Sequence, residues 1–242
     1  MSRRHPPLAE PRPTGAELGQ VPSLLLPVDA VDAVDPVTLP LRVGGDGTVL
    51  GVDPHGAPLA VRLFRAAPTR IVLVGSPRCA QLTAFRTLAS GAQVVVGTAR
   101  PQTWAPLVGA APPGTVAVRP ADAPPLASGR RTRPLLHIDD APPYDTPPEL
   151  PAGRWTTVVT LREALTHREA ELVEHADLVL LQPLVQTEAE VLASALRVPG
   201  IDQRLARLPA DVLTVADRRG VRWGRLSVTP IEHHSFGPAL RR

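Results

Sequence analysis

Short apolar runs alternate along this chain with segments in which apolar residues recur at helical spacing. The runs have the length of single strands and cover residues 71–74, 92–98, 114–120, 135–138, 155–161 and 176–182. Helices are predicted after Gly75, over residues 162–175 and from Thr187 onward. Apolar strands that alternate with helices are typical of a parallel sheet covered on both faces. The sequence therefore predicts an α/β fold with a mostly parallel sheet flanked by helices.

The sequence also predicts the apolar side of one of these helices and the N-terminal cap of another. The helix after Gly75 places Leu82 on its apolar side and Gln81 among its polar side chains. The last of the helices is expected to open with a capping box, in which Thr187 and Glu190 satisfy the first backbone N–H groups.

Two further segments have the pattern of β-hairpins. In the first, residues 49–52 and 59–63 flank the turn sequence Asp-Pro-His-Gly at residues 53–56. In the second, "DVLTVAD" and "VRWGRLSVT" flank a turn at residues 218–220. We therefore expect a hairpin at each end of the folded region. The segment "IEHHSF" that follows offers His233 or His234 as a metal ligand, but adjacent histidines diverge on a regular backbone, so the segment is expected to be solvated.

The first 41 residues differ in composition from the rest. They are rich in proline and small residues, and "VDAVDAVDP" repeats with a period that matches neither a helix nor a strand. Such a segment buries too little apolar surface to offset the entropy lost on ordering. We predict a poorly ordered Pro-rich arm over residues 1–41 and a single α/β domain over residues 42–242.

Charge gives little support for a nucleic-acid partner. The sequence contains 26 arginines and no lysine, and its formal net charge is only +3. The pI of about 10.2 is high because few groups titrate between neutral pH and arginine. Nucleic-acid binding needs clustered positive charge, and the densest run is Arg130, Arg131 and Arg133. We expect no nucleic-acid partner.

The cysteine content and the hydropathy of the sequence indicate in which cellular compartment the protein lies. The single cysteine, Cys79, excludes an internal disulfide and a cysteine-based zinc site. No apolar window approaches the length of a transmembrane helix, and the first residues lack the apolar segment of a signal peptide. These patterns predict a cytoplasmic protein whose association with a membrane is only indirect.

The stretch "IVLVGSPRCAQLTAF", residues 71–85, runs from a buried strand through a glycine turn into a helix, where a phosphate-binding loop would lie. That loop has the pattern G-x-x-x-x-G-K-[ST], in which backbone N–H groups and the lysine hold phosphate. Counted from Gly75, its last three key positions are Ala80, Gln81 and Leu82, and the sequence contains no lysine. The stretch therefore predicts a degenerate P-loop, the shell of a nucleotide site.

Ser76, Arg78 and Cys79 are the remaining candidates at this helix start. Arg78 and the N–H groups of the helix end could assist an anion. Ser76 lies at a strand-to-helix turn, but the G-x-S-x-G frame of a hydrolase nucleophile is missing. Cys79 is either a thiol activated by the helix dipole or a small buried residue. The sequence nominates no histidine partner, so we assign no catalytic residue, metal site or cofactor.

The strand "LLHIDD" ends in Asp139 and Asp140 and resembles a Walker B strand, whose acids hold magnesium. Ligands of α/β folds bind at the carboxyl ends of the strands. One hypothesis is therefore a degenerate or atypical enzyme that uses Asp139 and Asp140 with Mg²⁺ on a nucleotide or nucleotide sugar. The alternative is that the two aspartates cap the turn before Pro142-Pro143.

Several segments occur in a characteristic order: "LGVDPHGAPLAVRLFRAAPTRIVLVG", "GAQVVVGTARPQTWAPL", "ADLVLLQPLVQTEAEVLASAL" and "RWGRLSVTPIEHHSFGP". This order, over roughly residues 42–238, resembles the soluble domain of the EccE family of actinobacterial type VII (ESX) secretion systems. It also looks like a decayed FtsK-type ATPase module.

The resemblance to EccE implies a non-catalytic scaffolding component with a nucleotide-binding-like fold, and protein subunits of the membrane secretion complex as its partners. EccE proteins usually carry N-terminal transmembrane helices, whereas this sequence has the Pro-rich arm. We therefore expect it to dock through a partner.

Overall fold

The computed structural model of the protein describes residues 47–123, 128–142, 153–217, 220–239 and 241. The predicted arm over residues 1–41 and the turn residues 218 and 219 lie outside this set. In the described part of the chain, no helix is long and apolar enough to cross a membrane.

A single sheet of ten strands forms the centre of the described structure. The strands are β1 (Thr48–Val52), β2 (Pro58–Val61), β3 (Thr69–Val74), β4 (Gln93–Thr98), β5 (Val116–Arg119), β6 (Leu135–Asp140), β7 (Thr156–Arg162), β8 (Leu178–Leu181), β9 (Val212–Asp217) and β10 (Gly220–Leu226). Their order across the sheet is β2-β1-β10-β9-β8-β3-β7-β6-β4-β5. Every apolar run that the sequence predicts as a strand is one.

The sheet has a parallel part and an antiparallel part. From β8 through β3, β7, β6 and β4 to β5, all neighbouring strands are parallel. Strands β9, β10, β1 and β2 extend the sheet in antiparallel fashion. The predicted α/β fold is confirmed, and so are the hairpins β1–β2 and β9–β10.

The two hairpins, far apart in sequence, are neighbours in the sheet. β1 pairs with β10, with Gly51 opposite Leu226 and Val52 opposite Arg225. A Cβ atom on Gly51 would lie 2.0 Å from the Arg225 carbonyl oxygen, and one on Gly224 would lie 2.5 Å from that of Val52. Glycine at both positions therefore allows the strands to approach closely.

Helices cover both faces of the sheet. In the described residues they are α1 (Pro77–Leu88), α2 (Ala105–Ala110), α3 (Ala170–Glu174), α4 (Gln186–Leu196), α5 (Asp202–Leu205) and α6 (Pro230–Phe236). Residues of α1, α2 and α6 share one apolar core with strand residues such as Leu73. Residues of α3, α4 and α5 share the other with neighbours such as Val74. Successive strand side chains point to opposite faces, so β3 is buried on both sides and has a continuous apolar sequence.

The helix predicted over residues 162–175 begins later than expected. β7 continues to Arg162, and a short 3-10 turn precedes α3, which starts at Ala170. Thr166 and Glu169 form a capping box at this turn. The polar residues after the strand therefore cap the turn.

The capping box predicted at Thr187 and Glu190 is wrong. α4 already begins at Gln186, so Thr187 lies within its first turn. The Glu188 carboxylate accepts the Val185 N–H at 3.0 Å. A glutamate two residues earlier than predicted thus caps this helix.

The segment "IEHHSF" forms α6, and it is only in part solvated as expected: Ile231, His233 and His234 are exposed, whereas Glu232 and Phe236 are buried. Thr229 and Glu232 make a capping box at its start. Phe236 is buried and contacts Phe85 edge to face, with ring centroids 5.3 Å apart. Glu232 is buried as well and pairs with Arg86 at 2.7 Å. The helix is too short for its apolar residues to establish a period in the sequence.

Candidate functional site

The turn after β3 is much shorter than a phosphate-binding loop. Gly75 follows the strand, Ser76 is the N-cap, and α1 begins at once with Pro77. The positions counted as P-loop positions, Ala80, Gln81 and Leu82, are therefore residues of α1, and all of them are buried. A P-loop needs several loop residues whose N–H groups surround the phosphates. This turn is a tight strand-to-helix connection.

Gln81 has a packing role in α1. The sequence predicts it on the polar side of the helix, but it is only 2% exposed, and its amide donates to the carbonyl of Thr103. Thr103 lies in the 3-10 turn Pro101–Trp104 after β4. The contact therefore ties α1 to the next crossover, and the prediction of an outward side chain is wrong.

The N–H groups of Gly75, Ser76 and Cys79 at this turn donate to acceptors within the protein. Pro77 has no N–H, and the Cys79 N–H donates to the Ser76 hydroxyl at 3.3 Å. The Ser76 N–H donates to Oε1 of Gln182 at 2.6 Å. Gln182 follows β8 directly, next to β3 in the sheet. The usual anion-binding property of a helix N-terminus depends on free N–H groups, and here protein acceptors take those of Ser76 and Cys79.

Gly75 allows the amide of Gln182 to approach the turn. A Cβ atom at residue 75 would lie 2.7 Å from Oε1 and 2.9 Å from Cγ of Gln182. The glycine that suggested a phosphate-binding turn thus accommodates a glutamine side chain. The sequence signal for Gln182 is a polar residue at the end of a buried apolar strand, the signal that also selected Asp139 and Asp140.

The residues that follow α6 lie against the same turn. We call residues 237–239 and 241 the closing segment. The Gln182 amide nitrogen donates to the Ala239 carbonyl, and the Arg78 guanidinium donates to the Pro238 carbonyl at 3.3 Å. Ala239 is buried and belongs to the apolar core of the α1 face. Gln182 thus connects the turn after β3 to the closing segment.

Arg241 ends the closing segment in a partly buried ion pair. Its guanidinium donates to both carboxylate oxygens of Glu188, one of them at 2.8 Å, and to the carbonyls of Glu163 and Pro183. The Arg241 and Glu188 side chains are only 13% and 7% exposed. Burial alone would raise the pKa of Glu188, but hydrogen bonds from Arg241 and from backbone N–H groups outweigh it and lower the pKa.

Asp139 and Asp140 are both buried, and they diverge. They are consecutive residues of β6, and successive side chains of a strand point to opposite faces. Three side chains donate to Asp140: the Thr98 hydroxyl at 2.8 Å, the Trp104 indole at 2.7 Å and the Arg100 guanidinium at 2.6 Å. The two carboxylates do not converge on one position, which counts against the hypothesis that they hold Mg²⁺ together.

Asp139 has a different environment on the other face. Burial raises its pKa, and the nearby charge of Arg162 and the N–H of Ala141 offset this only in part. Arg162, at the end of β7, is buried and donates to the carbonyls of Leu161 and Ala141. An arginine therefore lies near the carboxylate that a magnesium site would use. The sequence pattern does not single out Arg162, although this residue also ends a buried strand.

Arg100 extends the charge pairing along this edge of the sheet. Its guanidinium contacts the carboxylates of both Asp140 and Glu163. The hydrogen bond to Asp140 is the main cause that raises the pKa of Arg100, so it stays charged. Three carboxylates near this edge, those of Asp140, Glu163 and Glu188, therefore pair with Arg100 or Arg241.

Other candidates have packing roles or lie apart. Cys79 is buried, and burial raises the pKa of its thiol to about 12, so it is not an activated nucleophile. His233 and His234 lie exposed on α6. In the ranges that the structure describes, no three His, Cys, Asp or Glu side chains are grouped so as to hold a metal.

No family model matches the chain. No curated protein matches it significantly either. Among solved structures, a similar one is the genome packaging NTPase B204 from Sulfolobus turreted icosahedral virus 2 in complex with sulfate, with 11% sequence identity and a TM-score of 0.46. The match covers 68% of this chain and 99% of that chain. At this level of similarity, no residue role or activity transfers to the present chain.

Proposed function

We propose that this protein is a non-catalytic scaffolding component of a type VII secretion machinery and binds other subunits on the cytoplasmic side of the membrane. The observation that supports a non-catalytic role is the contact between Gln182 and the Ser76 N–H. That donor is one that a bound phosphate would need. The resemblance to EccE supports the assignment to secretion.

The charged groups near the carboxyl ends of the parallel strands disfavour the binding of a triphosphate. Two of the arginines there are already paired: Arg100 with Asp140 and Glu163, and Arg241 with Glu188. A polyanion that bound Arg100 or Arg241 would have to break these pairs and leave the buried carboxylate of Asp140 or Glu188 without its partner, which is strongly unfavourable. Magnesium would not compensate, because Asp139 and Asp140 point to opposite faces of the sheet.

Calorimetric titration of the full chain with ATP and with ADP, each with and without Mg²⁺, tests the non-catalytic role. We expect no binding heat at micromolar to millimolar nucleotide, and no phosphate release on prolonged incubation. Micromolar binding that weakens in an Asp140→Asn variant, but not in an Asp202→Asn variant, would overturn this part of the proposal. Asp202 is a suitable control because it lies in α5.

Reconstitution tests the scaffolding role. The purified chain is mixed with the purified membrane complex of a type VII system that contains its FtsK-like motor, and the mixture is separated by size exclusion. We expect the chain to co-elute with the complex in detergent and not to bind protein-free vesicles. If the chain binds vesicles but not the complex, docking through a partner is wrong.

A further inference from the structure

The closing segment contacts the domain as a bound peptide would. Residues 237–239 and 241 belong to no helix or strand. Five residues hold the segment through hydrogen bonds: Arg78, Glu163, Gln182, Pro183 and Glu188. We call these five residues the edge site. They lie at the start of α1, just after β7 and β8, and at the start of α4.

We infer that the edge site is a recognition site for an extended peptide of a partner protein, in which a small apolar residue lies two positions before an arginine. The closing segment occupies this site in the closed state and exchanges with the partner's segment. This inference rests on the proposed function in one respect, that the chain binds a partner protein, and it adds the chemistry of that contact. It requires neither a secretion system nor the absence of nucleotide binding.

Three features of the edge site specify such a peptide. The Gln182 amide binds a backbone carbonyl. This contact fixes the register of the bound peptide without specifying any of its side chains. The position of Ala239 is buried, only 3% exposed, so a large residue would not fit there. The Glu188 carboxylate, with the carbonyls of Glu163 and Pro183, surrounds the guanidinium of Arg241. The site thus combines a backbone contact, a small apolar contact and a charged contact.

The charged contact is specific for arginine over lysine. Both carboxylate oxygens of Glu188 accept from Arg241, and the planar guanidinium also reaches the two carbonyls. A lysine ammonium is a compact charge without this forked geometry. Glu188 is held in place independently of Arg241, because it accepts the N–H groups of Leu165 and Val185, each at 3.0 Å. The acceptor is therefore preorganised when the closing segment leaves.

The closing segment can leave without unfolding a helix or strand, although Ala239 then leaves the apolar core. α6 is fixed separately, by the Arg86–Glu232 ion pair and by the contact of Phe236 with Phe85. Gly237 follows the helix with φ of 70° and ψ of −166°, a backbone conformation that only glycine adopts readily. A change of conformation at Gly237 moves the segment while α6 stays in place. The segment competes as an intramolecular ligand, so it raises the concentration of partner that is needed.

Peptide binding to the chain of residues 1–242 tests the inference. The probe is a fluorescent peptide with the sequence of residues 236–242, Phe-Gly-Pro-Ala-Leu-Arg-Arg, and matched peptides carry Lys or Ala at position 241. The proteins are the unchanged chain, Arg241→Ala, and Arg241→Ala combined with Glu188→Gln. Anisotropy gives the dissociation constants, and thermal unfolding confirms that each variant is folded. If Arg241→Ala does not fold, Arg241→Gln replaces it.

We expect Arg241→Ala to bind the probe about tenfold more tightly than the unchanged chain, because its own segment competes less well. The Glu188→Gln change should then weaken binding about tenfold, and so should the Lys peptide. A folded Arg241→Ala variant that does not bind the probe, or that binds all three peptides equally, would overturn the inference. If the unchanged chain is a dimer and the Arg241→Ala change dissociates it, the peptide partner is a second copy of this chain, and the inference of a different partner protein is overturned.

The result is independent of the test of the proposed function. Nucleotide binding by the same proteins would overturn the non-catalytic role and leave the peptide result in force. Lack of peptide binding, with no nucleotide bound either, would overturn only this inference.

Discussion

The side chain of Gln182 lies 2.6 Å from the Ser76 N–H and closes the turn at the start of α1. The same amide donates to the Ala239 carbonyl, so one side chain joins β8, the turn after β3 and the closing segment. The two residues lie 106 positions apart in the sequence. At this contact a protein side chain takes a backbone donor that a phosphate at a strand–glycine–helix turn would use.

Replacing Gln182 by leucine should lower the free energy of unfolding by about 2 kcal/mol, because the partly buried Ser76 N–H and the buried Ala239 carbonyl lose their partner. Urea unfolding monitored by circular dichroism measures the change. Gln203→Leu is the matched control, since Gln203 is exposed in α5 and its replacement should change stability by less than about 0.5 kcal/mol. Equal effects at both positions would mean that the Gln182 contacts contribute nothing.

The adjacent aspartates should respond in opposite ways to replacement by asparagine. Asp140→Asn weakens hydrogen bonds from Thr98, Arg100 and Trp104, so we expect a loss of about 2–4 kcal/mol and a change in tryptophan fluorescence. Asp139→Asn should leave stability at pH 7 unchanged or higher. The raised pKa of Asp139 means that the folded state disfavours its charged form.

The pH dependence of the Asp139 variant gives a second measurement. The folded protein binds the Asp139 proton more tightly than the unfolded chain does, so the cost of the charged carboxylate disappears as the pH falls through its raised pKa. Asp139→Asn should remove that gain. A variant that is strongly destabilised at pH 7 would show that the ionised carboxylate is required by Arg162.

Removing Arg86 should release α6. Arg86 pairs with the buried Glu232 and donates to the carbonyls of Leu50 and Ser227, so Arg86→Ala leaves a carboxylate buried without its partner. We expect a loss of about 3–5 kcal/mol in urea unfolding. Arg207→Ala, at an exposed position after α5, is the control and should cost about 0.5 kcal/mol or less. A small effect at Arg86 would mean that Phe236 alone holds the helix.

Acid should loosen the closing segment. The pKa of Glu188 is lowered below its ordinary value of 4.5, so its stabilising contribution is complete above that pH and is lost as the pH falls through the lower, folded-state value. Hydrogen exchange of residues 237–239, followed by mass spectrometry from pH 7 to pH 3, should become faster relative to β3 once corrected for intrinsic rates. In Glu188→Gln the acid-induced change should be absent. A change of equal size in that variant would assign the transition to another group.

The thiol of Cys79 should not react in the folded protein. Burial raises its pKa to about 12, so the thiolate is negligible at pH 8 and the sulfur is inaccessible. A thiol reagent should label it only in denaturant. Rapid labelling of the native chain would show that α1 opens readily.

Much of the fold follows from local pattern. The continuous apolar sequence of β3 requires burial on both faces, and the turn sequence at residues 53–56 defines the first hairpin. These are properties of neighbouring residues, so the sequence predicts them. The short helices are different: α6 is stabilised by Arg86 and Phe85, which lie far away along the chain.

The candidate site divides in the same way. The sequence by itself determines that the chain has no lysine for a phosphate and that Asp139 and Asp140 end a strand. Only the tertiary structure decides which groups fill the carboxyl edge, because Gln182 and Arg241 reach it from other parts of the chain. Hydrogen bonds and ion pairs depend on distances in space, and residues remote in sequence come within bonding distance only when the sheet has formed.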